Sequence, residues 1–293
     1  MKILVTGANG QLGSELQKIS AKNHSFQYIF TDYNELDITN ANSVKIFFNE
    51  QKPDFLINCA AYTAVDNAEN DYEKALLINS DAVANLADSC KTCDTIFLHI
   101  STDYVFDGKK PAAYLEDDKT NPISAYGKTK LLGEQHALAY SKSIIIRTSW
   151  LYSAFGNNFV KTMLRLGSEL EKIKVVADQI GSPTYAEDLA NAVLKIIETI
   201  SKNPQNMKSG IYHFSNDGYC SWCDFAKEIM KLGNKNCLVE PISTAEYPTP
   251  AQRPQYSLLS KEKIKIDYGV DVPDWKIGLE KCINQLKDIH LHK

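Results

Sequence analysis

The chain alternates short, continuous apolar runs with longer segments in which apolar residues recur at helical spacing. The apolar runs predict five buried strands, at residues 2–6, 26–31, 55–58, 95–100 and 143–148. The segments between them predict helices through 12–19, 44–49, 73–91 and 126–141. Strands that are apolar throughout are typical of a parallel sheet covered by helices on both faces. The first half therefore predicts an α/β fold with a doubly wound parallel sheet.

Turn residues become frequent after about residue 150, and the regular alternation ends there. Helices are still predicted, at 158–170, 187–200, 222–232 and 275–289. We expect one domain over residues 1–150, completed by parts of 172–205. We expect 151–293 to be mainly a smaller α/β substrate-binding region, interleaved with the first domain and lying over the carboxyl edge of the sheet.

Composition and charge exclude several function classes. The 293 residues are 44% hydrophobic and 23% charged, as in globular domains. The 32 basic and 36 acidic residues leave a net charge of −4 without any basic block, which argues against a nucleic-acid partner. No apolar run approaches the roughly 20 residues that span a bilayer, and the first run is too short for a signal-peptide core. We therefore expect a cytoplasmic protein with no membrane partner.

The seven cysteines do not suggest a disulfide framework, because their number is odd and they are spread over a long chain. Two Cys-x-x-Cys pairs, Cys90/Cys93 and Cys220/Cys223, have a spacing found in zinc sites. The pairs lie far apart, however, and the second opens an amphipathic helix for which Ser221 is the predicted N-cap. We therefore predict reduced thiols and no metal site.

A glycine-rich segment with the spacing GxxGxxG, Gly7 to Gly13, follows the first strand and opens the first helix. Glycines permit a tight turn and a close approach of a pyrophosphate to backbone N–H groups, and the helix N-terminus stabilises its charge. In this strand–turn–helix context, the segment predicts that residues 1–150 form an NAD(P)-binding Rossmann domain.

The second strand ends in Asp32, about 20 residues after the glycines. A carboxylate there would accept hydrogen bonds from the adenosine ribose and repel a 2′-phosphate. No Arg or Lys lies beside it, so this residue favours NADH over NADPH. Asp37 and Ile38 are placed to hold the adenine, although Asp37 also fits the role of a helix cap.

Tyr126 and Lys130 are four residues apart and would share one face of a helix. A nearby ammonium lowers the pKa of a phenol, and such a tyrosine can protonate a carbonyl oxygen during hydride transfer. The fourth strand ends near Ser101 and Thr102, at the sheet edge where ligands bind in doubly wound folds. Either hydroxyl could bind the same carbonyl oxygen.

These motifs together resemble the extended short-chain dehydrogenase/reductases: TGANGQLG, NCAAYTAVD, STDYVFDG and YGKTK. Later motifs narrow the resemblance to the dTDP-4-dehydrorhamnose reductases: RTSWLY, GNNFVKTML, DQIGSPT, YPTPAQRPQYSLL and PDWKIGL. The resemblance spans nearly the whole chain. It implies that NAD(P)H reduces dTDP-4-dehydro-β-L-rhamnose to dTDP-L-rhamnose, the last step of dTDP-rhamnose biosynthesis.

The resemblance also implies roles for individual residues. Thr102, Tyr126 and Lys130 match the catalytic set, in which Tyr126 protonates O4 of the sugar and Lys130 holds the nicotinamide ribose. The further cofactor contacts are Gly7, Gly10, Gln11, Leu12, Gly13, Asp32, Asp37, Ile38, Ala61, Tyr62 and Thr63. The substrate contacts are Ser101, Thr102, Asp103, Trp150, Asn158 and Arg253. An arginine also suits the diphosphate by itself, because a guanidinium binds phosphate through two hydrogen bonds.

Some members of the resembled family hold Mg²⁺ between subunits through three glutamates. Glu15 and Glu187 match two of these positions, but Gln285 matches the third. A neutral amide is a poor ligand for a hard dication, so Mg²⁺ is only weakly supported. Many members use NADPH, so we expect either NADPH or NADH to serve, and both a monomer and a homodimer stay open.

Two other functions are compatible with this resemblance. One is another nucleotide-sugar enzyme, either a different 4-ketoreductase or an epimerase. A dehydratase is disfavoured, because Thr102 is followed by Asp103 rather than by an Asp-Glu pair. The other is a non-catalytic partner-binding protein, since the regulatory subunit of methionine adenosyltransferase resembles the same family. The complete set of Thr102, Tyr126 and Lys130 favours the reductase.

Overall fold

The computed structural model describes residues 1–22 and 24–291. Its strands are β1 (Lys2–Thr6), β2 (Gln27–Thr31), β3 (Phe55–Asn58), β4 (Ile96–Thr102), β5 (Ser143–Thr148), β6 (Leu151–Tyr152), β7 (Lys172–Val176), β8 (Ile180–Gly181), β9 (Thr184–Tyr185), β10 (Gly210–His213), β11 (Cys220–Ser221) and β12 (Leu238–Ile242). Six of them form a parallel sheet in the order β10-β5-β4-β3-β1-β2. The predicted α/β fold with a Rossmann-like parallel sheet is confirmed.

The helices are α1 (Gln11–Ser20), α2 (Ala41–Gln51), α3 (Tyr72–Leu76), α4 (Ala82–Cys93), α5 (Ala125–Leu138), α6 (Phe159–Glu169), α7 (Ala186–Lys202), α8 (Trp222–Leu232), α9 (Glu262–Tyr268) and α10 (Trp275–Leu291). Each helix predicted from apolar spacing is present, with ends shifted by a few residues. No helix in this described part of the chain combines the length and the apolar character needed to cross a membrane.

Alternate residues of the central strands supply two separate cores, which explains their continuous apolar sequence. In β1, Ile3 and Val5 are buried against α1 and α7, whereas Leu4 is buried on the opposite face with residues of α2 and α4. Both faces of the sheet centre therefore exclude water, as the apolar runs predict. The prediction of a buried strand is wrong for β2, which lies at the sheet edge and has only Thr31 buried. β10 was not predicted, and it extends the sheet beyond β5.

The helix predicted over 73–91 is not uniform. α3 continues through a π-helical turn, Leu77–Asp81, into α4. The turn directs the Asn79 side chain inward, where it hydrogen-bonds both backbone groups of Tyr62 and lies 3.1 Å from Thr129 Oγ1. A Cβ atom on Gly133 would lie 2.0 Å from the Asn79 carbonyl oxygen. The absence of a side chain at Gly133 therefore lets α5 pack closely against the π-helical turn.

The second region has a core of its own, built from α6, α8, α10 and the parallel pair β7 and β12. Ser221 begins α8 with a capping box, because it accepts from the Asp224 amide while Asp224 accepts from the Ser221 amide. The predicted N-cap is therefore confirmed. All seven cysteines are free thiols.

Candidate active site

A cavity of about 920 Å³ runs along the carboxyl ends of the central strands. It opens beside β1, whose neighbours β2 and β3 lie on opposite sides, which is the position where doubly wound sheets bind ligands. Most of the predicted site residues line it: Gly7, Gly10, Gln11, Leu12, Asp32, Asp37, Ile38, Ala61, Thr63, Ser101, Thr102, Asp103, Tyr126, Lys130, Trp150 and Asn158. Gly13, Tyr62 and Arg253 lie outside the lining.

The glycine-rich turn is shaped by close backbone approach. Gly7 has φ +68°, and a Cβ there would lie 2.6 Å from the Ala60 amide nitrogen. Gly10 is the N-cap residue of α1, so the amides of the first helical turn face the cavity end of the loop. A Cβ on Gly13 would lie 2.4 Å from the Gly7 carbonyl oxygen. Gly13 therefore acts through helix packing rather than as a lining residue.

Asp32 lies between the end of β2 and the glycine-rich turn. Its carboxylate accepts hydrogen bonds from the amides of Asn9 (2.9 Å) and Tyr33 (2.8 Å), which fixes it at the cavity wall. Asp37 accepts from the Thr39 amide and hydroxyl, at 2.9 and 2.6 Å. It is not the helix cap that its sequence position allowed, because Asn40 caps α2.

Tyr62 does not turn toward the cavity. Its hydroxyl donates to Asp71 Oδ2 at 3.0 Å, and its backbone is held by Asn79. The neighbouring Ala61 and Thr63 do line the cavity. Of the three predicted cofactor contacts after β3, Ala61 and Thr63 line the cavity, whereas Tyr62 forms hydrogen bonds within the surrounding loops.

Tyr126 lies in the first turn of α5, which begins at the N-cap residue Ser124. Burial raises the pKa of Tyr126 to about 12, against the lowering effect of its hydrogen bond with Thr102. The Tyr126 ring packs edge-on against Tyr104, with centroids 5.5 Å apart. The predicted lowering of this pKa is wrong for this structure, because burial dominates. The phenol is held protonated at neutral pH.

Lys130 follows Tyr126 by one helical turn and is only 2% exposed. Its ammonium donates to the Ile100 carbonyl oxygen at 2.7 Å. Burial lowers the pKa of Lys130 from 10.5 to about 8, although the charge of Glu134 acts in the other direction. Burial in the cavity wall thus brings the pKa of Lys130 close to neutral pH, so its ammonium form is only slightly more stable than its neutral amine form there.

The two candidate hydroxyls have different partners. Ser101 donates to Glu134 Oε1 at 2.5 Å, and Glu134 also forms a buried ion pair with Arg147. Thr102 instead contacts Tyr126 and lies 3.1 Å from Asp103 Oδ1. Burial raises the pKa of Asp103 to about 6. Thr102 is therefore the hydroxyl that the geometry places beside the tyrosine.

Trp150 has φ +48° and stacks on Trp222, with ring centroids 3.6 Å apart and an angle of 11° between the planes. Both rings line the cavity. A Cβ on Gly181 would lie within 2.7 Å of the Trp150 ring, so the glycine makes room for the stack. Sequence analysis missed Trp222; its signal was a large aromatic side chain directly after the N-cap Ser221.

Asn158 lines the cavity but is already satisfied by protein partners. It caps α6 by accepting from the Lys161 amide at 3.1 Å. Its amide group donates to Gln11 Oε1 at 2.9 Å and to the Ser153 carbonyl oxygen at 2.7 Å. It therefore joins the second region to the glycine-rich turn.

Arg253 pairs with Asp66 through its two terminal guanidinium nitrogens, at 3.1 and 2.6 Å. The hydrogen bond with Arg253 lowers the pKa of Asp66. Sequence analysis missed Asp66, although it belongs to the NCAAYTAVD motif. The bidentate carboxylate binding shows that this guanidinium has the geometry that a phosphate group needs.

The residues considered for Mg²⁺ converge where α1, α7 and α10 meet. A protein cation lies among them: Lys18 Nζ is 2.5 Å from Glu187 Oε2, 2.9 Å from Gln285 Oε1 and 3.5 Å from Glu15 Oε2. Across the described ranges, no group of three or more His, Cys, Asp or Glu side chains could hold a metal ion. This arrangement does not fit Mg²⁺.

Comparisons with known proteins agree with the motifs. Residues 1–288 match the family described as the RmlD substrate binding domain. The dTDP-4-dehydrorhamnose reductase of Aggregatibacter actinomycetemcomitans is 44% identical over 286 residues, covering 95% of this chain and 97% of the relative. The dTDP-4-dehydrorhamnose reductase structure from Clostridium acetobutylicum is 47% identical with a TM-score of 0.93, covering 98% of this chain and 100% of that one.

The dTDP-4-dehydrorhamnose reductase of Bacillus anthracis was solved in complex with NADP. It is 42% identical, with a TM-score of 0.92, and covers 97% of this chain and 99% of that one. These matches extend over nearly the full length of each chain and confirm the resemblance predicted from the motifs. The chain belongs to the RmlD substrate binding domain family, together with these dTDP-4-dehydrorhamnose reductases.

Proposed function

We propose that this chain reduces dTDP-4-dehydro-β-L-rhamnose to dTDP-L-rhamnose with NAD(P)H, as the last step of dTDP-rhamnose biosynthesis. One observation carries the proposal: Thr102, Tyr126 and Lys130 line the same cavity as the glycine-rich turn. A dinucleotide and a sugar could therefore meet beside a proton donor. The names of the full-length relatives supply the substrate.

Each catalytic residue has a defined task in this proposal. The reduced nicotinamide, when bound, supplies the hydride that adds to C4 of the keto sugar. Tyr126 donates its hydroxyl proton to O4, and its raised pKa keeps that proton in place until the carbonyl is reduced. Thr102 orients the carbonyl, and Lys130 holds the nicotinamide ribose and stabilises the tyrosinate that forms.

Cofactor binding is proposed to use mainly residues 1–150, and substrate binding mainly residues 151–293. Gly7, Gly10, Gln11 and Leu12 would hold the pyrophosphate, and Asp32 would accept from the adenosine ribose. The Bacillus anthracis relative binds NADP. We propose that both NADPH and NADH are accepted, with Asp32 favouring NADH because its carboxylate repels a 2′-phosphate.

Trp150 and Trp222 are proposed to form the wall against the sugar nucleotide, because their stacked rings line the cavity. Asn158 and Arg253 are proposed to contact the diphosphate. For Arg253 this requires an exchange of partner, since its guanidinium is paired with Asp66. Ser101 and Asp103 complete the proposed sugar site at the end of β4.

The test is the loss of NADPH or NADH absorbance with dTDP-4-dehydro-L-rhamnose generated in situ. We expect oxidation that depends on the sugar, with dTDP-L-rhamnose identified as the product by mass spectrometry and NMR. Oxidation with a different 4-keto sugar alone would move the assignment to another ketoreductase. Cofactor binding without oxidation of any keto sugar would favour the partner-binding function.

A further inference from the structure

Lys18 extends from α1 into the junction with α7 and α10, where three side-chain oxygens face its ammonium. The acceptors are Glu187 Oε2 at 2.5 Å, Gln285 Oε1 at 2.9 Å and Glu15 Oε2 at 3.5 Å. An ammonium has three N–H donors and no acceptor, so its donors match the three oxygens in number. We propose that the Lys18 ammonium is a built-in substitute for a divalent cation, and that the chain binds no metal at this junction.

Charge balance supports the substitution. Glu15 and Glu187 contribute two negative charges and Lys18 one positive charge, while Gln285 is neutral. The cluster therefore carries one net negative charge. Three carboxylates around a dication would carry the same net charge. The neutral amide of Gln285 removes one negative charge, and Lys18 supplies one positive charge in place of the two of a dication. The two residues together therefore preserve the net charge of the cluster.

Hydrogen bonding supplies a second argument. Glu15 is fully buried, and its other oxygen accepts from the Ser153 hydroxyl at 2.6 Å. The Tyr185 hydroxyl lies 2.8 Å from Gln285 Oε1. Because the Lys18 ammonium can only donate, it fixes the Gln285 amide with its oxygen toward the ammonium.

A dication would have to displace this network. Mg²⁺ requires oxygen ligands at about 2.0–2.1 Å in near-octahedral geometry and usually retains several waters. The space between the carboxylates is filled by an ammonium that would repel it. The ordinary pKa of lysine is about 10.4, and two carboxylates lie within hydrogen-bonding distance of the Lys18 ammonium, so the lysine is charged at neutral pH.

The acceptors come from distant parts of one chain. Gln285 is 267 residues from Lys18, and Glu187 is 169 residues away. The ammonium therefore connects the helix after the glycine-rich turn to the first turn of α7 and to α10. A metal ion could make such a connection only when it is available, whereas the lysine makes it permanently.

The test compares the full-length wild type with Lys18→Met/Gln285→Glu, which creates three carboxylates and removes the ammonium. Both are stripped with EDTA, then titrated with MgCl₂ by calorimetry and melted with and without Mg²⁺. We expect no binding heat and no shift of the melting temperature for the wild type. The double variant should gain saturable binding and melt at least about 4 °C higher with Mg²⁺.

Two results would overturn the proposal. One is saturable Mg²⁺ binding by the wild type that Glu187→Gln abolishes. The other is a folded double variant that gains no stabilisation from Mg²⁺. If the double variant does not fold, the wild-type titration and its Glu187→Gln control decide the question. None of these readouts depends on turnover, so failure here is separate from failure of the proposed reaction.

Discussion

Two lysines in this molecule have opposite electrostatic surroundings. Lys130, on the cavity floor, donates to the backbone carbonyl of Ile100, and burial lowers its pKa to about 8. Lys18, at the helix junction, reaches Glu15 and Glu187, and its pKa is raised although burial acts against it. Two differences act together on the pKa: Lys130 is 2% exposed and, among the described residues, lacks a carboxylate in contact, whereas the Lys18 side chain is 31% exposed and faces two carboxylates. In the cavity, no carboxylate of the described chain contacts the positive charge of Lys130, at the place where ligands would bind. At the helix junction, the positive charge of Lys18 is balanced by the carboxylates of Glu15 and Glu187.

The variant with the largest expected effect, Tyr126→Phe, tests whether the cavity that contains Lys130 is the catalytic site. Tyr126→Phe keeps the ring but removes the proton that the reaction needs. We expect kcat to fall by about 10²–10⁴-fold while cofactor affinity is retained. Tyr140→Phe is the matched control, because it removes a buried hydroxyl away from the cavity. Steady-state kinetics and cofactor titration of both variants provide the measurement, and a kcat within tenfold of wild type would assign the proton to another group.

Lys130→Met tests whether the buried positive charge of Lys130 in the cavity lowers the free energy of unfolding. Methionine is of similar length and apolar, so replacing a poorly paired buried charge should stabilise the fold at pH 7 by about 1–3 kcal/mol. Turnover should fall by roughly 10²-fold or more, since the tyrosinate loses its ammonium. Denaturant unfolding and kinetics measure the two effects. Loss of both activity and stability would mean that Lys130 is structural.

The stability difference between wild type and Lys130→Met should also depend on pH. Between pH 8 and 10.5 the unfolded chain binds more protons at this lysine than the folded chain, so wild-type stability rises with pH. The advantage of the methionine variant should therefore shrink across this window, by on the order of 2–3 kcal/mol. A difference that stays constant from pH 7 to 10 would contradict the lowered pKa.

The sequence predicted the parts of the fold and site that depend on local pattern. Five strands were found because each contains a short run of apolar residues, and the placement of Tyr126 and Lys130 on one helix beside the cavity followed from their spacing. β10 was missed because its sequence, Gly-Ile-Tyr-His, is short and half polar. The π-helical turn at Leu77–Asp81 was missed because it changes backbone hydrogen bonding without interrupting the apolar spacing.

What the sequence could not give was the partner of each charged side chain. Arg253 was predicted to bind phosphate, but its partner Asp66 lies 187 residues away. Lys18 drew no attention because a lysine on a helix is usually solvated, and its acceptor Gln285 is 267 residues away. The Tyr126 pKa was predicted in the wrong direction because spacing does not report burial. Such contacts are set by tertiary packing.

Lys18→Met tests the helix-junction side of the comparison. Removing the ammonium leaves Glu15 buried beside Glu187, so we expect a loss of about 1–3 kcal/mol in the free energy of unfolding. Lys45→Met, at an exposed position on α2, is the control and should change stability by less than about 0.5 kcal/mol. Because the Lys18 pKa is raised, its contribution is fully present below pH 10.5 and is lost as pH rises through the folded pKa. The difference from wild type should therefore stay constant from pH 8 to 10, unlike that for Lys130→Met.

The smallest expected effect asks whether the two lysine sites are independent. A chain of contacts leads from Glu15 to the Ser153 hydroxyl, from the Ser153 carbonyl to Asn158, and from Asn158 to Gln11 in the glycine-rich turn. The turn itself is shaped by the close approach of Gly7 to Ala60, which Lys18 does not contact.

We therefore expect Lys18→Met to change the Kd of the cofactor by no more than about threefold, or roughly 0.7 kcal/mol. Fluorescence titration with NADPH below the melting transition measures it. Gln11→Ala is the positive control, because it removes the last contact of the chain directly. A tenfold or larger change in Lys18→Met would show that the helix junction supports the nucleotide site through Asn158. The helix junction around Lys18 and the nucleotide site would then be energetically coupled, and the two lysine sites could not be treated as independent.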